Sequence, residues 1–241
     1  MQRFYCLPQN ISNEEIIITD PQEIRHMKNS LRLKPGDKVN IFDGRGNEYH
    51  GRIKEISSRV MINKLEVIRP SSGNKMQKVT IACAIPKNSR MDDIIDKLTQ
   101  LRVDRIIPLI TERVIVKLDK RKLAIKLARW KKIAISAAKQ SQQSTVPAID
   151  SIADIKSLLF LSSDYELKLI PTLEGERKTL SQIFRESNYK SILILIGPEG
   201  DFTKEEVSLC RDCGFIPVSL GESVLRVETA AVAILSFIRF S

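Results

Sequence analysis

Ile192-Leu193-Ile194-Leu195-Ile196 runs without a break into Gly197-Pro198-Glu199-Gly200-Asp201-Phe202. Five consecutive aliphatic residues closed by Gly-Pro read as a strand buried on both faces, as in a parallel sheet covered by helices. The glycines that follow let backbone approach a ligand closely, because no Cβ intervenes. Thr203 and Glu206 then form the Thr-x-x-Glu box that opens a helix. Strand, ligand-sized turn and helix start thus follow one another, as at a small-molecule site on the carboxyl end of an α/β sheet.

A second turn lies about twenty residues on: Leu220-Gly221-Glu222-Ser223-Val224-Leu225-Arg226-Val227-Glu228-Thr229-Ala230-Ala231. It leads into an apolar final helix over 228–240. Taken alone, the first turn reads as an ordinary strand-to-helix loop and the second segment as an amphipathic helix with a charged start. The pair, in this order and spacing, resembles the signature of the RsmE family, SPOUT-class methyltransferases acting on N3 of a uridine in small-subunit (16S) ribosomal RNA. Members carry a Gly-Pro-Glu-Gly-Gly-Phe-like turn and a Leu-Gly-x-x-x-Leu-Arg-x-Glu-Thr-Ala segment. The likeness extends to His26–Arg32, to Pro86-Lys87 through Leu101, and to Trp130 through Ser141.

Working outward, the chain from Lys78 alternates strand and helix. Strands are expected at 79–85, 106–110, 166–170, 192–196 and 215–219, with helices at 91–101, 120–140, 181–186, 203–213 and 228–240. That alternation means a mostly parallel, doubly covered sheet. Residues 1–70 carry short alternating strands at 16–19, 39–42, 49–56 and 60–67, with Asp43-Gly44 marking a hairpin. Regular short strands suggest a small barrel. Polar residues 71–75 form the expected linker, and 76–241 the second domain. The resemblance implies that the first is a PUA-like RNA-binding barrel and the second a SPOUT α/β domain with a deep trefoil knot. Pattern reasoning would never propose a knot.

Net charge is +10. Residues 113–139 hold ten basic residues against one acid, Asp119, while 140–241 are net negative. The helix 120–140 pairs an apolar stripe (Leu123, Leu127, Trp130, Ile133, Ala134, Ala137) with basic positions including Arg121, Lys122, Arg129 and Lys132. Such a stretch suits a polyanion, though a solvated helix face has the same composition. His26 and Arg32 are further candidates for RNA contact, as is plain surface packing. Aromatics are scarce, so recognition through backbone charge and RNA shape is expected.

Cys210 and Cys213 have the spacing of half a zinc site, but no second pair follows and His26 and His50 lie far upstream, so no metal is expected. The N-terminus has no apolar signal-peptide core, and the run 230–240 is too short for a bilayer. A cytoplasmic protein is the expectation.

The resemblance implies S-adenosyl-L-methionine as cofactor, held by three loops: Thr172-Leu173, then Gly197, Pro198, Glu199 and Gly200, then Leu220-Gly221 with Val224, Leu225 and Arg226. It also implies a homodimer. Arg226 stands in an apolar run and needs an anionic or carbonyl partner, so it is a candidate catalytic residue or a structural ion pair with Glu199 or Glu228. Glu228 suits a helix start electrostatically and is the second catalytic candidate; no general base is assigned. Three departures from the family pattern stand out. Asp201 replaces the second glycine of the turn, Gln100 and Arg102 replace a Glu and a Gly, and Gln142-Gln143 replace a Gly-Arg. They keep two rivals open: a non-catalytic RNA-binding or ribosome-assembly protein, and a SPOUT methyltransferase with another target base.

Overall fold

In a computed structural model the protein is described over residues 2–68, 77–86, 90–114, 120–173, 175–185 and 189–240. The chain divides into two compact units, Met1–Lys75 with Ile135–Val146, and Met76–Ala134 with Pro147–Ser241. The expected linker 71–75 lies outside the described residues. The segment 135–146, assigned from the sequence to the second domain, instead groups with the first unit.

The first unit is a five-stranded sheet of order β1-β3-β4-β5-β2. Its strands are β1 (Arg3–Tyr5), β2 (Glu15–Ile18), β3 (Lys38–Phe42), β4 (Glu48–Ile56) and β5 (Val60–Ile68). β1 runs parallel to β3 and the other pairs are antiparallel. Two-residue periodicity points one side of each strand inward: Ile16 and Ile18, Val39 and Ile41, and Val60 and Ile62 are buried with Phe4 and Met27 in one cluster. The Asp43-Gly44 turn forms a hairpin loop. Asp43 holds it by accepting the backbone N–H groups of Arg45 (2.8 Å) and Asn47 (3.1 Å). Gly51 sits at a register shift in β4, where an added Cβ would collide with Ile62 Cγ2. Two features have no counterpart among the sequence expectations: β1, and the helical stretch made by α1 (Pro21–Arg25) and a π-turn over His26–Ser30. Residues 135–146 join this unit through specific contacts. Lys139 Nζ pairs with Glu23 at 2.7 Å and lies 5.1 Å from the Phe4 ring centre, and Thr145 bridges to Gly44 and Arg45.

The second unit is an eight-stranded sheet of order β11-β13-β10-β12-β6-β7-β8, with β9 also on β7. The strands are β6 (Lys78–Ala84), β7 (Arg105–Ile110), β8 (Ala148–Ile149), β9 (Ala153–Asp154), β10 (Leu167–Pro171), β11 (Lys178–Thr179), β12 (Ser191–Ile196) and β13 (Ile216–Ser219). Every pairing is parallel. The aliphatic run decides this fold because β12 lies mid-sheet between β10 and β6. Leu193 and Leu195 enter a cluster with Ile155, Leu158, Phe202, Cys210 and Phe215. The alternate residues Ile192 and Ile194 are equally buried. On β6 and β12 packs α7 (Val227–Phe240), which also meets α2 (Arg90–Gln100). Its buried residues Val227, Ala231, Ile234, Leu235 and Ile238 recur at helical spacing.

The long helix α3 spans Lys120–Gln140, as read from its period. Trp130, Ala134 and Ala137 of the expected stripe are buried. Asp92 on α2 accepts Trp130 Nε1–H at 3.1 Å and pairs with Arg129 at 2.6 Å. The remaining helices are α4 (Ile155–Phe160), α5 (Leu180–Phe184) and α6 (Lys204–Asp212). Among the described residues, no helix is long and apolar enough to cross a membrane.

Candidate functional site

The carboxyl ends of the adjacent strands β10, β12 and β13 open onto one pocket. Its empty space is about 590 Å³, counted to the open mouth, and it is lined by three separated loops and the start of α7. From the loop after β10 come Thr172 and Leu173; from the loop after β12, Gly197, Pro198, Glu199 and Asp201; from the last loop, Leu220, Gly221, Val224 and Leu225. Gly200 borders a neighbouring cavity instead, and Arg226 lines neither.

Each loop is fixed by local chemistry. Gly197 has no room for a side chain, since a Cβ would meet the Phe202 ring at 3.0 Å. Phe202 turns back under the loop into the core and is 4% exposed. Gly221 has φ +118°, a conformation open essentially to glycine alone, and Ser219 Oγ bonds both its N–H and its carbonyl. The Thr172 carbonyl accepts from Arg177, and Thr172 N–H reaches the Val218 carbonyl at 3.3 Å. Downstream, Thr203 and Glu206 make the reciprocal capping box that the sequence signalled. Glu206 also accepts the Glu112 N–H at 2.9 Å, which ties the end of β7 to α6.

Asp201 is central to this arrangement, and its function is not visible in the sequence. It adopts φ +60°, the left-handed conformation that glycine adopts without strain and other residues rarely do. One carboxylate oxygen accepts Phe202 N–H at 2.8 Å and the other accepts Leu173 N–H at 2.9 Å. The charge therefore serves to brace two loops of the pocket together. The other departures follow the same geometry: Arg102 and Gln142 replace glycines at φ +60° and +57°. Both end helices. The next N–H groups, of Val103 and Gln143, reach back to Leu98 and Ala138 at 3.0 and 2.9 Å, the bonding of a left-handed cap.

Arg226 is exposed, and its carbonyl caps α7 by accepting Ala230 N–H at 2.8 Å. The ion pair with Glu199 or Glu228 weighed from the sequence does not form among the described residues: Glu199 faces Arg90 at 3.7 Å. Glu228 is half-buried in the first turn of α7, with Oε2 buried and unbonded. Beneath them, burial first and then the charges of Glu228 and Glu199 push the Cys83 thiol up to about 12.

The RNA-contact candidates separate into two groups. Arg121, Lys122 and Lys132 are exposed on α3, whereas Arg129 is engaged by Asp92. His26 and Arg32 are exposed in the first unit, His26 lying 6.2 Å from the Phe4 ring. Cys210 is buried and Cys213 half-buried, both as free thiols. Residues that sequence reasoning missed are Arg177, which anchors the first loop, and Arg90. Arg177 carries no motif, and Arg90 lies within the family-like stretch 86–101 without having been singled out.

A parallel sheet with a three-loop pocket at its carboxyl edge, joined to a small β unit, defines the class, and comparison with known proteins specifies it. The RNA methyltransferase domain model matches residues 73–239, and the RNA methyltransferase PUA domain model matches 18–59. The chain belongs to this RNA methyltransferase family. It is 29% identical to Ribosomal RNA small subunit methyltransferase E of Bacillus subtilis, over 100% of this chain and 96% of the relative. A protein of the same name from Synechocystis is 30% identical, over 97% and 76% respectively. Among solved structures, Ribosomal RNA small subunit methyltransferase E from Neisseria gonorrhoeae, bound to S-adenosyl methionine, superposes with a TM-score of 0.85 at 32% identity, covering 99% of this chain and 96% of that one. A Legionella pneumophila protein solved with bound SAM gives 0.87 at 31% identity, covering 98% and 96%.

Proposed function

We propose that this protein transfers a methyl group from S-adenosylmethionine to a base of small-subunit ribosomal RNA, the target atom being N3 of a uridine. The observation that carries the proposal is that three loops far apart in sequence, at 172–173, 197–199 and 220–225, line one pocket. The residues present fit the cofactor. Gly197 and Gly221 put backbone against the pocket, Val224 and Leu225 supply apolar wall for an adenine, and Asp201 is occupied by two amides. When bound, S-adenosylmethionine supplies a methyl group activated by its sulfonium, so the protein's main contribution is to hold donor and acceptor in line.

The uracil N3 proton must leave. Glu228, in the first turn of α7 beside the pocket residue Val227, is the carboxylate we propose as the acceptor; it is not among the pocket's lining residues, so one water would carry the proton to it. Arg226 sits between the pocket residues Leu225 and Val227 with its guanidinium unpaired among the described residues. It suits the negative charge that develops on the base. Exposed Arg121, Lys122 and Lys132, with His26 and Arg32, supply contacts to RNA phosphates.

The expected trefoil knot is supported by the path of the chain. β13 lies beyond β10, yet α7 returns from it to pack on β6, β12 and α2. A homodimer and a cytoplasmic location, where ribosomal RNA is found, complete the reading. Calorimetric titration with S-adenosylmethionine, followed by mass mapping of ribosomal RNA from a deletion strain, tests it. Loss of one uridine methyl, restored by the purified protein, is expected. Restoration at another base would replace the target, and absence of any cofactor binding would leave an RNA-binding protein.

A further inference from the structure

Beside the cofactor pocket lies a second cavity. Thr172, Leu173 and Asp201 line both cavities, so they form the wall between them. The empty space of the second is about 1000 Å³ to the open mouth. Three cationic side chains line it, each from a different place: Arg113 beyond β7, Lys204 at the first position of α6, and Arg211 in the last turn of α6. Asp201 is the single carboxylate among its described lining residues, and both of its oxygens are taken by backbone N–H groups. Two acids close to the cavity, Glu206 and Glu112, are engaged as well. Glu206 closes the capping box and holds Glu112 N–H, and the Glu112 carboxylate lies 3.4 Å from Thr203 Oγ1.

Two of the cations are held by backbone rather than by acids. Arg113 donates to the Gly200 carbonyl, and Arg211 donates to the Glu176 carbonyl at 3.2 Å. A guanidinium has five N–H donors, so each arginine keeps several for a ligand. Leu173, 46% exposed, and Val207 give the cavity an apolar part against which a sugar or base can lie. Three cations, two of them positioned by carbonyls, facing a single described lining carboxylate whose oxygens are already taken, suit an anion.

We propose that this cavity binds a backbone phosphate of the RNA substrate next to the nucleotide being methylated. The inference rests on the RNA methyltransferase reading and deepens it. An RNA strand anchored across the Leu173–Asp201 wall delivers the neighbouring base to the cofactor pocket, so the same loop that grips the donor registers the acceptor. These contacts carry position rather than sequence, since phosphate contacts orient a nucleic acid without reading it.

The test uses the full-length protein, a fluorescent RNA fragment of the small-subunit ribosomal sequence, and calorimetry with S-adenosylmethionine. The K204E/R211E variant is expected to bind RNA at least tenfold more weakly at moderate salt. The slope of log K against log salt should become shallower by about 0.7 for each phosphate the variant no longer engages. Its cofactor titration should match wild type. K204Q alone, at an exposed side chain, should lose a single increment of slope, and K204R should recover it. RNA affinity and salt slope equal to wild type in both variants, with normal cofactor binding, would overturn the proposal. So would millimolar binding of inorganic phosphate that K204Q abolishes while RNA binding stays unchanged, which would make the site one for a free anion. Wild type that binds neither cofactor nor RNA would instead refute the proposed function, a distinguishable failure.

Discussion

The Asp201 carboxylate accepts the backbone N–H of Leu173 at 2.9 Å, which fastens the turn after β12 to the loop after β10. Two loops separated by 28 residues are thereby held at one pocket by a residue in the left-handed conformation. A family glycine would satisfy the backbone conformation, but only the carboxylate adds the brace.

Replacing Asp201 by Ala removes two charge-assisted hydrogen bonds, one of them the brace to Leu173, and leaves a Cβ at φ +60°. Such a bond contributes about 1.5–3 kcal/mol, so cofactor affinity is expected to fall about tenfold or more by calorimetry. Asp201→Asn keeps a carbonyl acceptor and tolerates the left-handed backbone, and should lose less. Equal affinities for all three proteins would show that the brace does not shape the pocket.

Gln142 is exposed and holds φ +57° at the end of α3. A left-handed residue with a Cβ costs roughly 1 kcal/mol relative to glycine. Gln142→Gly should therefore raise the melting temperature by about 2–4 °C. A decrease would show that the glutamine side chain compensates for its backbone.

Arg239 near the end of α7 is 4% exposed and donates to the carbonyls of Gln77 (2.6 Å) and Arg102 (2.5 Å) and to Asp104 (2.8 Å). Arg239→Met strands those acceptors near the edge of β6. Because the Asp104 side chain is 47% exposed, the loss is that of charge-assisted hydrogen bonds, about 1.5–3 kcal/mol, and thermal unfolding should drop by roughly 5 °C. A shift below about 2 °C, of the size found for exposed substitutions, would contradict this role.

Burial pushes the thiols of Cys6, Cys83 and Cys210 up to about 12, against an ordinary value near 9. The native protein holds these protons longer than the unfolded chain. Their contribution to stability is complete below the unfolded value and is lost as pH rises from about 9 towards 12. At pH 8 a thiol-alkylating reagent should label half-buried Cys213 first, with the other three reacting only on unfolding. Rapid native labelling of Cys83 would contradict its burial beneath the site.

Much of the second unit was legible because its signals are local. The run 192–196 pointed to a buried strand, the period of 120–140 matched α3 to the residue, and Thr203 with Glu206 marked the start of α6. Three short residues of parallel strand, Arg3–Tyr5, carry no periodicity, so β1 was missed. The grouping of 135–146 with the first unit depends on Lys139–Glu23 and on Thr145 beside Gly44, contacts that only the fold creates. The pocket's loops were readable through their glycines and family likeness. The brace at Asp201 and the anchor at Arg177 were not, because a side chain's partner across the fold leaves no mark on spacing. Arg102, Gln142 and Asp201, noted from the sequence as departures from the family pattern, share a backbone angle, which a sequence does not display.

A crystal structure of the protein with S-adenosylhomocysteine tests the central claim most directly. The adenosyl group should lie between Leu173, the Gly197–Glu199 turn and the Leu220–Leu225 loop, with the Asp201 to Leu173 bond intact. A cofactor bound elsewhere, or those three loops collapsed onto one another with the cofactor excluded, would contradict it.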